Sequence, residues 1–364
     1  MNFDDLRTDS TDRTRSQAEE KWVQFQPYLL SKGYRLRARY QPDWKPSWKD
    51  GDNPLQFEDS LDCKPIRVLD ATRIGDDRQV KIKMVIPTPS GEAKHEYELL
   101  QRFSSPPLAN DPSNHVVPCL DSFPIPGVDS GFFVVTPLLG RYNRPFFYNL
   151  ADVHDLLQQL FEGVIFMHKN NVAHCDIAAP NVMLDARPLY NEPFHPFYHE
   201  FSLDASREIH PVYTRAQKKS RYYFIDLGHA KWFRDSGATR TAKGIAAREP
   251  APEQLYGGPW DPFAVDVYQL GTLIRASLAK DLGLAFLAPL VERMTQVNPA
   301  NRPSLETAQA AMNTAFLGLS GWRYRRPIVK KDADFSTRFR ALLNGLSAEF
   351  KLLLGRILRA LRLK

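Results

Sequence analysis

The chain has 364 residues, 43% of them apolar, enough for two lobes or domains with a sizeable core. No run of about 18 apolar residues occurs, so no membrane-spanning helix is expected, and three scattered cysteines (Cys63, Cys119, Cys175) argue against a disulfide framework or a zinc site. The net charge of +6 is uneven: residues 321–364 hold 12 Lys/Arg against 3 Asp/Glu, leaving 36 against 39 elsewhere, so the body offers no basic patch for nucleic acid.

The charged start, Met1-Asn2-Phe3-Asp4-Asp5-Leu6-Arg7, does not read as a secretory leader, and the expected location is intracellular, cytoplasmic or nuclear. Residues 1–54 are polar, with a Trp/Pro segment (Trp44, Pro46, Trp48), and read as a partly ordered extension rather than a domain. From about 55 to 87 the pattern predicts short strands, ending in Val80-Lys81-Ile82-Lys83-Met84-Val85-Ile86, with a turn at Gly75-Asp76-Asp77. A helix is expected from Glu92 to Phe103, where Tyr97, Leu100 and Phe103 recur at helical spacing. After a loop from Pro106 to Asn114, strands are expected from His115 to Cys119 and from Gly131 to Thr136. Pro137-Leu138-Leu139-Gly140 then has the chemistry of a hinge.

Ala151 to Lys169 carries the clearest amphipathic pattern, with Val153, Leu156, Leu157, Leu160, Val164 and Met167 on one face. Residues 185–220 are rich in Pro, His, aromatics and charge without clean periodicity, and read as a functional insertion or a disordered segment. Helical patterns return at 263–279, 283–296 and 304–317. In the basic tail, Phe350, Leu353, Leu354, Ile357, Leu358 and Leu361 follow helical spacing among Lys351, Arg356, Arg359, Arg362 and Lys364. Such a helix, over 346–364, suits an anionic membrane surface or an acidic partner, while docking on its own domain is the equal alternative.

The chemistry lies in two segments. His174-Cys175-Asp176-Ile177-Ala178-Ala179-Pro180-Asn181 sets an acid and an amide five apart, just after the amphipathic helix. A second acid comes 45 residues after Asn181, in Phe224-Ile225-Asp226-Leu227-Gly228, at the end of an aromatic-rich strand. Phosphoryl transfer from a metal-bound nucleotide needs this set: one carboxylate accepts the hydroxyl proton, while an amide and another carboxylate hold magnesium.

Around this set, residues 64–317 resemble the protein kinase family, with its motifs in order. Val80-Lys81-Ile82-Lys83 resembles the strand whose lysine pairs with nucleotide phosphates, and Glu96 the helix glutamate that holds that lysine. His174 through Asn181 resembles the catalytic loop, Asp226-Leu227-Gly228 the magnesium turn, and Ala251-Pro252-Glu253 the end of the activation segment. Asp266 resembles the buried aspartate that anchors the catalytic loop, and Arg302 the arginine that pairs with Glu253. Leu69-Asp70-Ala71-Thr72-Arg73, Phe194-His195-Pro196 and Asp261-Pro262-Phe263 are similar to a fungal-type protein-kinase-like family.

The resemblance implies a two-lobed α+β fold over 55–319, with a small β-rich lobe to about 136 and a larger helical lobe carrying the insertion at 185–220. The basic tail covers 320–364. It implies ATP and magnesium as cofactors and a Ser/Thr hydroxyl of a protein substrate as acceptor. Asp176 is then the catalytic base, Asn181 and Asp226 hold the metal, and Lys83 with Glu96 positions the phosphates. Val135, Thr136 and Leu138 border the adenine, and Met183 forms its floor.

The pattern departs from the family at four places. The three phosphate-loop glycine positions fall near Leu61, Cys63 and Ile66, and side chains hinder close backbone approach to phosphate. Lys81 stands where a small alanine normally meets the adenine, on the same strand face as Lys83. Ala178 and Pro180 replace a cation beside the transferring phosphate. Cys175 replaces the arginine before the catalytic aspartate, which makes the chain a non-RD type. These departures keep open an alternative, a pseudokinase acting as a binding or scaffolding module. A small-molecule phosphotransferase shares the acid–amide–acid order, but Ala251-Pro252-Glu253 and Arg302 belong to a protein-substrate platform.

Overall fold

The computed structural model describes residues 13–54, 57–60, 66–88, 93, 95–234, 239–244, 247–278, 283–329 and 334–362. The architecture is mixed α+β. In chain order come α1 (Gln17–Ser31), β1 (Tyr34–Arg35), β2 (Val68–Arg73), β3 (Arg78–Val85) and α2 (Glu96–Phe103). Next are β4 (Asp121–Pro124), β5 (Phe132–Pro137), β6 (Gly140–Arg141), α3 (Leu150–Lys169), β7 (Val172–Ala173) and β8 (Val182–Leu184). Then follow α4 (Arg215–Lys218), β9 (Tyr222–Phe224), β10 (Lys231–Trp232), α5 (Pro252–Leu255) and α6 (Pro262–Leu278). The chain closes with α7 (Ala288–Met294), α8 (Leu305–Leu317), α9 (Gly321–Arg325) and α10 (Phe335–Arg362).

Two compact units emerge. The first draws on 1–109, 117–140 and 185–220. Its centre is a five-stranded antiparallel sheet in the order β1-β2-β3-β5-β4. Side chains alternate across such strands, so Leu69, Ala71, Val80, Ile82, Met84, Phe133 and Val135 form one buried face. That face packs on α1 through Trp22, Phe25 and Leu29. Helix α1 starts in a capping box: the Ser16 hydroxyl accepts the Glu19 N–H at 3.2 Å, and the Glu19 carboxylate accepts the Ser16 N–H at 2.8 Å.

The reading as an extension is therefore corrected for 13–54, while residues 1–12 lie outside the described residues. Ala18, Trp22, Phe25 and Leu29 recur at helical spacing and are buried, and β1 pairs with β2. The polar composition misled because the charges of this segment are paired inside: Arg39 Nε meets Glu19 Oε1 at 2.5 Å, with both side chains almost wholly buried. Residues 185–220 are likewise ordered rather than disordered. They belong with the first unit, through buried Leu189, Phe194, His195 and Ile209.

Helix α2 begins at Glu96, and Glu92 lies outside the described residues. The strand expected from His115 to Cys119 reduces to a single bridge, Val116 to Phe224. Pro118 lacks the N–H that a longer ladder would need.

The second unit draws on 110–116, 141–184 and 221–364. Helix α3 buries the expected stripe, and the Asn149 side chain caps it by accepting the Asp152 N–H at 3.1 Å. Gly163 lets α3 approach closely, since a Cβ there would meet His115 Cβ at 2.7 Å and Phe224 Cε2 at 2.9 Å. Strands β8 and β9 form an antiparallel pair, with Val182 opposite Phe224. The predicted helices at 263–279 and 304–317 match α6 and α8 within a residue or two. Helix α7 starts later than the expected 283, with Pro289 in its first turn. Among the described residues no helix is long and apolar enough to cross a membrane.

Candidate functional site

In the first unit, the sheet face opposite α1 carries the candidate phosphate lysine. Lys83 Nζ lies 2.6 Å from Glu96 Oε1, and the Glu96 side chain is almost fully buried while Lys83 keeps partial exposure. A carboxylate so deeply buried needs a cationic partner to remain charged. Of the residues expected to border the adenine, Thr136 lies directly opposite Lys81 and Leu138 just after β5, whereas Val135 pairs with Ile82 and alternation turns it to the buried face against α1, which corrects its expected role. The Leu138 N–H is held by the Gln79 carbonyl at 3.3 Å.

Lys81 shares the Lys83 face, as strand alternation requires. Its ammonium lies 4.6 Å over the Phe197 ring, and the Arg37 guanidinium lies 5.3 Å from the same ring. Gln79 Nε2 donates to the Phe194 carbonyl at 2.8 Å and ties the same segment to β3. Leu61 and Cys63, two of the positions lacking glycine, lie outside the described residues. At the third, the Ile66 carbonyl accepts the Trp22 indole N–H at 3.0 Å.

In the second unit, Asp266 organises the loop before Asp176. Fully buried on α6, it accepts the His174 N–H at 2.8 Å on Oδ2 and the Cys175 N–H at 2.7 Å on Oδ1. His168 Nε2 meets the same carboxylate at 2.8 Å. Gln269, three residues on along α6, accepts the Ile177 N–H at 2.9 Å and donates to the carbonyls of Cys175 (3.1 Å) and Glu249 (3.3 Å). These bonds hold Cys175 at φ 63°, a left-handed conformation unusual for a side chain of this kind. Asp226 has the same character at φ 64°.

Asp176 and Asn181 come together. Asn181 Nδ2 donates to Asp176 Oδ2 at 2.7 Å and to the Asp176 carbonyl at 2.8 Å. His174 bridges the two motifs: its Nδ1 accepts the Asp176 N–H at 3.2 Å, and its Nε2 donates to the Ile225 carbonyl at 3.1 Å. The Ile225 N–H in turn donates to the Asn181 carbonyl at 3.0 Å. Met183 lies on β8 opposite Tyr223 of β9, partly exposed.

Arg248 completes the group. Its backbone N–H donates to Asp176 Oδ1 at 2.7 Å. Its guanidinium Nε lies 3.5 Å from Asp176 Oδ2, and its Nη2 4.0 Å from Asp226 Oδ2. Nearby, Arg302 holds Glu253 in a bidentate pair at 2.6 and 2.7 Å, as the resemblance implied.

Asn181 and Asp226 each offer an oxygen donor of the kind that magnesium takes. The Asn181 amide nitrogen is committed to Asp176, which leaves the amide oxygen as the end available to a cation, and the Asp226 carboxylate is about a third exposed. Hard oxygen donors, one or two from the protein and the rest from phosphate and water, are what this ion takes.

Comparison with protein-family models and with curated proteins found no match. The site therefore rests on its own geometry. Gln269, Arg248 and Phe197 were missed in the sequence. Gln269 has a signal, since it lies i+3 from Asp266 on one helix face. Arg248 and Phe197 sit in irregular segments, where no periodicity marks a contact.

Proposed function

We propose that the chain has a two-lobed protein-kinase-type fold and transfers the terminal phosphoryl group of ATP to a Ser/Thr hydroxyl of a protein. The observation that carries this reading is the bonded pair of Asp176 and Asn181, oriented through His174 and anchored by Asp266. In this reading Asp176 accepts the hydroxyl proton as the hydroxyl oxygen forms the new P–O bond and the bond to the diphosphate breaks. Asn181 and Asp226 would hold magnesium, whose charge would neutralise that of the phosphates. Lys83, fixed by Glu96, positions the phosphates. Arg248 supplies a cation beside Asp176, the kind of charge that Ala178 and Pro180 do not offer.

The test is a thermal shift with magnesium and ATP, followed by transfer of labelled phosphate to a mixed Ser/Thr peptide pool. Stabilisation by magnesium–ATP is expected, with transfer reduced at least about a hundredfold in Asp226→Asn, since charge stabilisation of this kind is worth several kcal/mol. Transfer that survives Asp226→Asn would sink the assignment.

One observation favours a second reading, a pseudokinase that binds or scaffolds. Phe197 lies over the Lys81 ammonium on the very sheet face where this fold takes its base. Magnesium–ATP that neither stabilises the protein nor supports transfer is the outcome that selects it.

A further inference from the structure

Helix α10 docks by its smallest residues and turns its largest outward. It packs on α9, where Ala341 and Gly345 are buried. A Cβ on Gly345 would meet Arg326 Cβ at 2.6 Å and the Trp322 carbonyl oxygen at 2.8 Å, so the contact depends on the missing side chain. The apolar residues Phe339, Leu343, Leu346, Phe350, Leu353 and Ile357 recur every three or four positions. At 3.6 residues per turn their stripe is centred roughly 140° around the helix from Ala341 and Gly345. All six are exposed, Phe350 at 66% and Ile357 at 56%.

An apolar stripe used for self-docking would be buried, and this one is not. Charge narrows the occupant. Residues 321–364 carry 12 Lys/Arg against 3 Asp/Glu, and Arg340 is exposed on the same helix. A second copy would bring the same positive charge to the contact, and a membrane-crossing role is excluded for α10 by its charge and hydropathy. A basic helix with one apolar face lies in the plane of a bilayer interface, apolar side down, and gains from anionic headgroups. We propose that the outer face of α10 is a docking surface for an anionic membrane. This assignment is independent of the catalytic reading.

The test uses the full chain and sedimentation with vesicles of phosphatidylcholine, alone or with about a third phosphatidylserine. Binding to the anionic vesicles is expected to be at least about tenfold tighter than to the neutral ones, and to weaken at high salt. The triple variant Phe339→Asp, Leu346→Asp, Phe350→Asp is expected to lose vesicle binding while keeping its melting temperature, because all three side chains face outward. Protein that stays in the supernatant with anionic vesicles overturns the proposal, as does equal binding to both vesicle types or a variant that binds like the parent. A dimer in ultracentrifugation that the variant abolishes, without vesicle binding, assigns the face to a second copy. Retention on an acidic polypeptide, again without vesicle binding, assigns it to an acidic protein.

Discussion

Arg248 reaches Asp176 through two groups, and only one depends on its side chain. The backbone N–H at 2.7 Å orients Asp176 Oδ1 whatever residue stands there. The guanidinium, half-exposed, spans toward Asp176 and Asp226 and can meet phosphate charge. Arg248→Ala should therefore spare the fold and lower kcat by about 10²–10³, the usual loss for one charge-stabilising donor, with a smaller change in KM. Arg248→Lys should recover part of it, a point charge without the fork of donors. Unchanged kcat, or a fall in kcat matched by a fall in melting temperature, would remove the cationic role. Cys175 shows the opposite case, a side chain closed off from solvent. Burial pushes its thiol well above the ordinary range, with Asp266 adding to the effect, so it stays protonated.

At the scale of elements, the segment around Phe194 to Tyr198 is ordered where composition left order and disorder equally open. Nothing in its composition predicts order, because its contacts are aromatic and long-range rather than periodic. Phe194 and His195 are buried, and His195 Nδ1 accepts the N–H groups of Phe197 and Tyr198 at 3.2 Å each. That geometry requires the neutral ring, with its proton on Nε2. Burial, and then the nearby Arg37 charge, pushes His195 down to about 4; His199 and Lys81 act in the same direction and Asp70 against them. The unfolded chain titrates near its ordinary value of about 6.5. Between these values the unfolded state binds a proton that the folded state does not, so stability rises with pH there. Stability is full above about 6.5 and is lost as pH falls toward about 4, by a few kcal/mol at most. Urea midpoints of the parent should drop more steeply over this window than those of His195→Gln, and parallel curves for the two proteins would refute the assignment.

For the molecule as a whole, the legible parts were those with a strong local period. Helices α3, α6 and α8 and strands β3 and β5 announce themselves by spacing, and the order of Lys83, Glu96, Asp176, Asn181 and Asp226 singles out the candidate residues of each unit. What sequence could not give was which polar segments fold inward, because pairing of buried charges leaves no periodic trace. Residues 17–40 make the point, and a prediction follows from them. Glu19 and Arg39 neutralise each other in the interior, so composition counts them as surface while energetics makes them core. Removing one partner leaves a buried charge uncompensated, typically a loss of about 3–5 kcal/mol. Truncating a buried tryptophan costs about the same through lost transfer energy and the cavity left behind. Glu19→Ala and Trp22→Ala should each lower the unfolding free energy from denaturant titration by that amount and loosen the sheet to which α1 is packed, which hydrogen exchange at Ile82 and Val135 would report. If both variants change stability by less than about 1 kcal/mol, this region is an appendage after all, and the first unit begins at β2.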